Sequence, residues 1–397
     1  LAYGVVRPVA YPPFVRSFDA SDILWGMALL PVLVTFMLWV YGAALSRFGP
    51  RQTLVLSTIV SVVLLLVPSL CHSSGASGLI TAVGGTPAAW ASASAFFLYV
   101  WKDAFIVLLV EQFWAFANST NTVESGKKAF GFLLLAGGLG ATAGNQLVTW
   151  FSELWGTWPV YLVGVAVLVP FAAFMVSAYG RVDRESTTVA ASPSHGGGMG
   201  LKTLLGSRYL LGIAAVVGLG QVMVANLEVV WLHQLSLEGA GLDKGSSASG
   251  HFWTWVNVGS MSLQVFTPLI MTVLSVRVLH LLVPLSHLVA VGALMVYPSL
   301  LTAGIAFAWF KMVDYSVFRV CKEVLYVPLG FDARYRAKMA IDMVVYRTTK
   351  GGAGLLLKLA ERAALLPVAW LPAVAAAAAL AWLPFGARLG KEFANRE

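Results

Sequence analysis

Apolar runs dominate this chain, and they recur at the length of a bilayer crossing. A helix that spans the hydrocarbon core needs about 20 mostly apolar residues. On that measure the pattern predicts helices at roughly 1–12, 21–45, 53–70, 95–117, 129–151, 158–179, 209–233, 251–274, 279–297, 299–326, 339–360 and 366–386. The first stretch is too short to span and is expected to be the later part of a helix whose start is missing. The expected fold is an all-α membrane protein of twelve transmembrane helices, the first truncated. Polar positions mark the breaks. Residues 71–94 carry no Asp, Glu, Lys or Arg and read as an outer-side loop. Residues 181–208 form the longest charged, Ser- and Gly-rich linker. That linker divides the chain into an expected N-terminal six-helix bundle (1–180) and a C-terminal six-helix bundle (209–397).

Charge fixes the expected orientation. Fifteen Lys and Arg residues fall in one set of alternate loops, at Arg47, Arg51, Lys127 and Lys128, through the 181–208 linker, to Arg334, Arg336, Lys338 and the C-terminus. The opposite set holds only Arg16, Lys244 and Arg362. Basic loops stay on the cytoplasmic side, so both termini are expected there. Composition agrees with a membrane protein. Of 397 residues 58% are hydrophobic and 11% charged, against about 25% charged in an ordinary soluble domain. The net charge of +8 is spread over short loops and does not point to nucleic acid. Cys71 and Cys321 make no disulfide framework. The histidines are scattered without metal-ligand spacing, and no nucleophile stands beside a base. An enzyme is not expected, nor is a metal or a bound cofactor.

The informative positions are ionisable residues inside apolar runs. Trp309 to Leu355 holds Lys311, Asp314, Arg319, Lys322 and Glu323 on one predicted helix and Asp342, Arg347 and Lys350 on the next. Each costs roughly 2.5–3.5 kcal/mol at a helix centre, so such residues line a polar cavity or pair with one another. Lys311 with Asp314, and Arg319 with Glu323, have same-face spacing and are expected to neutralise one another in part. Lys322, Arg347 and Lys350 then remain as candidate anion ligands, with a carboxylate partner or snorkelling as the plainer role for each. Gly351, Gly352 and Gly354 would let a ligand or a helix approach closely. Glu111 in the fourth predicted helix and Glu228 in the seventh sit in apolar surroundings, where a carboxylate meets a cation, a proton or a polar cavity. Lys102 and Asp103 are expected to pair or to snorkel. Gly137 to Gly144 lacks the Gly-Lys-Ser/Thr ending of a phosphate loop and follows no strand, so it reads as a helix-packing surface.

Two resemblances sharpen this reading. Tyr41-Gly-Ala-Ala-Leu-Ser-Arg-Phe-Gly-Pro-Arg51 resembles the loop between the second and third helices of the major facilitator superfamily, with Ser46 where that superfamily has an acid. In that architecture the substrate lies near the midplane between two six-helix halves. Phe113-Trp-Ala-Phe-Ala-Asn through Gly131, Asn226-Leu-Glu-Val-Val-Trp231, Cys321-Lys-Glu-Val-Leu-Tyr-Val-Pro-Leu329, Lys338 to Val345 and Lys350-Gly-Gly-Ala are similar to blocks of the ATP/ADP translocases of plastids and intracellular bacteria. The resemblance implies twelve helices and exchange of nucleotides, ATP for ADP, through a charged cavity. It implies that Glu228 stands for the family's acid in the seventh helix, Lys350 for its lysine before Gly-Gly, and Arg7 for the arginine ending the first helix. The chain departs after Arg7. Pro8-Val9-Ala10-Tyr11 replaces an acid and a lysine, and neither Glu111 nor Asp103 matches the family's acid in the fourth helix.

The expected function is exchange or uptake of a nucleotide or related organic anion by alternating access, in a plastid envelope or a bacterial inner membrane. Lys350, Arg347 and Lys322 would attract the anion, with Asp342 among the charges beside them. Glu228 and Glu111 would act in base or counter-ion recognition, gating or proton coupling. The alternative is a transport-inactive subunit that assembles with partner membrane subunits. A facilitator for an unrelated solute is a third reading.

Overall fold

Without water in the hydrocarbon core, backbone N–H and C=O groups must bond within their own segment, and a long apolar run has little choice but a helix. The computed structural model follows this rule. It describes residues 1–72, 86–120, 123–185, 201–239, 241–326, 328–329, 333, 337–338 and 340–395, and among them the regular elements are all helical. The side chain of Glu111, most of the 113–131 block, most of the 181–208 linker, and Arg334 and Arg336 lie outside the described residues. Nine helical stretches among the described residues are long and apolar enough to cross a membrane.

The helices group into two compact units. The first comprises residues 1–19, 32–193 and 240–254. It contains α1 (Ala2–Val9), α2 (Tyr11–Ser17), most of α3 (Ile23–Cys71), α4 (Pro87–Thr120), α5 (Val123–Trp155), α6 (Thr157–Ala166) and α7 (Leu168–Glu185). α3 holds two predicted spans joined at Gly49, whose φ of 74° belongs to the left-handed region that favours glycine. Small residues then set how closely α1 meets α5. A Cβ on Gly4 would lie 2.2 Å from the Ala141 carbonyl oxygen, and one on Gly144 would lie 2.4 Å from the Leu1 carbonyl oxygen. The 137–144 run is therefore used, in its later part, for packing. The first turns of α10 (Leu242–Val273) also belong here. Asp243 caps α6, its Oδ1 accepting from the Thr157 N–H at 2.8 Å and the Thr157 hydroxyl at 2.7 Å.

The second unit comprises residues 20–31, 194–239 and 255–397. It contains α8 (Leu201–Leu205), α9 (Arg208–Leu237), the rest of α10, α11 (Val276–Val296), α12 (Leu300–Val313), α13 (Arg319–Val324), α14 (Tyr346–Arg362) and α15 (Leu371–Ala394). α14 is not among the nine apolar stretches, because its 17 residues carry Arg347, Lys350, Lys358, Glu361 and Arg362. Gly351 and Gly354 give it close contact with the 24–31 segment, where Leu24, Met27 and Pro31 lie 2.7–3.1 Å from the places their Cβ atoms would take. Gly352 faces open space. Two wide π turns interrupt the charged hairpin, at Asp314–Phe318 and Ala340–Val345. Such turns release backbone groups and gather at functional sites. Here the Tyr315 carbonyl accepts from Gln264 Nε2 at 2.9 Å.

Candidate substrate-binding site

In the second unit, α9 and α14 bring together two residues that are 122 apart in sequence. Gly218 on α9 leaves room for Thr349, whose side chain stands 3.4 Å from where a Cβ would be. One residue further, Lys350 Nζ lies 3.1 Å from Glu228 Oε2. Glu228 is 3% exposed and Lys350 16%. Desolvating two charges costs several kcal/mol per ion, and the pair repays that only while both partners stay. Removing Lys350 from the pair therefore costs Glu228 a close cationic partner.

The other predicted ligands of this hairpin are also engaged. Lys322 Nζ lies 2.5 Å from Asp342 Oδ1, which ties α13 to the second π turn. Arg347 is half-buried and makes contacts of its own. Two same-face expectations are corrected. Glu323 pairs with Lys338 rather than Arg319, because Arg319 is exposed at the start of α13. Lys311 and Asp314 sense each other's charge but form no ion pair within 4 Å among the described residues. At the other end of α14, Lys358 is held by Asp22 at 2.9 Å, Glu361 at 2.7 Å and the Ser21 hydroxyl at 2.8 Å.

In the first unit, Arg7 is the anchor of a second cluster. Its guanidinium stacks 3.6 Å from the Trp253 ring centroid and 4.6 Å from that of Tyr3. Arg7 Nε donates to the Tyr3 hydroxyl at 2.9 Å, and that hydroxyl donates to Asp103 Oδ1 at 2.9 Å. Asp103 Oδ2 receives Lys102 Nζ at 2.7 Å. Lys102 is only 1% exposed, with its ammonium 4.1 Å from the Tyr99 ring centroid. Stacked cations of this kind are favourable when desolvated. Of the two roles expected for Lys102, pairing is the one found. The Asp103 carboxylate thus joins the Lys102 ammonium to the Tyr3–Arg7 pair. Lys102 on α4 brings a second cation into the Arg7 cluster. That signal was adjacent to Asp103 in the chain, but nothing in the sequence tied it to Arg7.

A cleft of about 270 Å³ in the second unit is lined by Arg208, Phe385, Arg388 and Glu392 among others and includes none of the expected site residues.

Comparisons with known proteins place the chain beside membrane carriers. A family model described as TLC ATP/ADP transporter matches residues 90–393. The chain is similar to ADP,ATP carrier protein 2, chloroplastic, of Arabidopsis thaliana, with 24% identity over 291 residues, covering 65% of this chain and 47% of that protein. It is similar to ADP,ATP carrier protein 1 of Chlamydia muridarum, with 23% identity over 335 residues, covering 72% of this chain and 63% of the relative. The chain thus spans about half to three-fifths of the length of these relatives. Among solved structures, a bacterial homologue of the iron transporter ferroportin in an inward-facing state matches with a TM-score of 0.68 at 14% identity, over 98% of this chain and 94% of that one. The nucleoside transporter NupG matches with a TM-score of 0.60 at 10% identity, over 100% of this chain and 96% of that one. At such identities the likeness concerns the fold, which is major-facilitator-like and all-α.

Proposed function

Because this chain belongs to the TLC ATP/ADP transporter family, we propose that it exchanges nucleotides of the ATP and ADP type across a membrane by alternating access. The apolar helices make it an integral, multi-pass membrane protein. The expected bundles at 1–180 and 209–397 are the moving bodies in this reading, and the membrane is a plastid envelope or a bacterial inner membrane. The observation that carries the proposal is the buried Lys350–Glu228 pair at 3.1 Å. A nucleotide phosphate competes with Glu228 for Lys350, and Glu228 in turn accepts a donor from the base or a proton. The charge-assisted bonds that result are the strong kind, about twice a neutral hydrogen bond. Arg347, with Lys322 and Asp342, sets the surrounding field. Arg7, with Lys102 and Asp103, forms the corresponding cluster of the first unit. Transport by this route requires no cofactor.

Binding tests the proposal directly. ATP and ADP are expected to raise the thermal midpoint of the purified protein, and Lys350→Ala is expected to weaken that effect by roughly tenfold or more in nucleotide concentration, the value of a lost charge-assisted bond. A protein stabilised by neither nucleotide contradicts the reading. The same result would move attention to the assembly-subunit alternative, in which paired charges such as Lys350–Glu228 are purely structural.

A further inference from the structure

We infer that Lys311 is a further substrate-binding residue of the second unit, holding an anionic phosphate oxygen of the nucleotide. The inference rests on the nucleotide reading above and extends it to a residue outside the paired set. Among the lysines of the charged hairpin its ammonium is the exception. Lys350, Lys322 and Lys338 each reach a carboxylate, whereas no carboxylate among the described residues lies within 4 Å of Lys311 Nζ. Lys311 is nonetheless 6% exposed, on a helix of apolar residues. Its ammonium stands between two aromatic rings of the same helix face, 5.9 Å from the Phe307 centroid and 5.3 Å from that of Tyr315.

Asp314 does not discharge this lysine. It is one turn along and acts on Lys311 at longer range, and it is shared with Lys322 and Arg319. A buried ammonium so placed costs stability, and the cost falls when an anion completes its surroundings. The position suits that anion. Trp231 on α9 packs at a tilt against Phe307 with centroids 5.8 Å apart, and its ring lies 3.8 Å from the Cβ position of Gly304. Glu228 is one turn from Trp231, and Lys311 one turn from Phe307. The helix that carries Lys311 therefore packs beside the helix that carries Glu228. Three residues after Lys311 the π turn begins, and its Tyr315 carbonyl is taken by Gln264. That bond fixes the backbone that bears the Tyr315 ring.

The test compares the full-length wild type with Lys311→Met (K311M) and Lys311→Arg (K311R), measuring ATP binding and the thermal midpoint without nucleotide. The expected result has three parts. K311M binds ATP about tenfold more weakly or worse, as for one lost charge-assisted bond. K311R retains most of the affinity. The nucleotide-free midpoint of K311M is unchanged or raised, because an apolar side chain replaces an uncompensated charge. K311M that binds ATP like the wild type overturns the inference while leaving the nucleotide reading intact. K311M that loses midpoint and binding together, or fails to fold, makes Lys311 a structural element and overturns it as well. A wild type that binds no nucleotide overturns both.

Discussion

Lys350 and Glu228 depend on each other in a way that single substitutions expose. Lys350→Met removes the ammonium that lies 3.1 Å from Glu228, and Glu228→Gln removes the carboxylate that Lys350 reaches. Each is expected to lower stability by about 3 kcal/mol, the scale for breaking a buried pair. The double variant is expected to lose less than the two singles together, because it removes both charges. Chemical unfolding of the four proteins in one detergent checks this, and strictly additive losses would show that the pair is not coupled. The charged positions themselves were plain in the sequence, since an ionisable residue in an apolar run stands out. Their partners were not. Same-face spacing pointed to Lys311 with Asp314 and Arg319 with Glu323, yet Glu323 went to Lys338 and Lys322 to Asp342. Spacing sees only one helix, and these partners arrive from another segment. The link from Lys102 to Arg7 was hidden for the same reason, because only the fold sets the Asp103 carboxylate between Lys102 and the Tyr3–Arg7 pair.

At the level of helices, close crossings rest on a few glycines. Gly144 meets the Leu1 carbonyl and Gly4 the Ala141 carbonyl. Gly144→Val is therefore expected to cost about 1–3 kcal/mol or more by over-packing backbone against backbone. Gly137→Ala, at a site with nothing within 4 Å, is expected to be neutral. Thermal midpoints of the two variants separate these outcomes, and equal behaviour would contradict the crossing. Hydropathy made most helices legible, because a bilayer-length apolar run leaves a helix as the natural way to satisfy its backbone, but Pro87, Leu242 and Ala394 lie eight or nine residues beyond the expected ends. Other features were less legible. The break near residue 50 was visible as a polar gap, but the left-handed Gly49 that forms it was not. The π turns at 314–318 and 340–345 leave no mark in composition. Gly351 and Gly354 allowed either a ligand or a helix to come close, and the 24–31 segment took the place.

For the whole molecule, the account joins a family membership to two charged clusters, one in each compact unit. α3 and α10 each run from one unit into the other: residues 23–31 of α3 belong to the second unit and residues 242–254 of α10 to the first. The measurement that tests the central claim most directly is counterflow in proteoliposomes. Vesicles loaded with unlabelled ADP are given labelled ATP, beside vesicles loaded with buffer alone and vesicles carrying Lys350→Ala. The account predicts saturable uptake that depends on internal nucleotide and is lost in the variant. Folded wild-type protein that takes up no label above the protein-free background would contradict it.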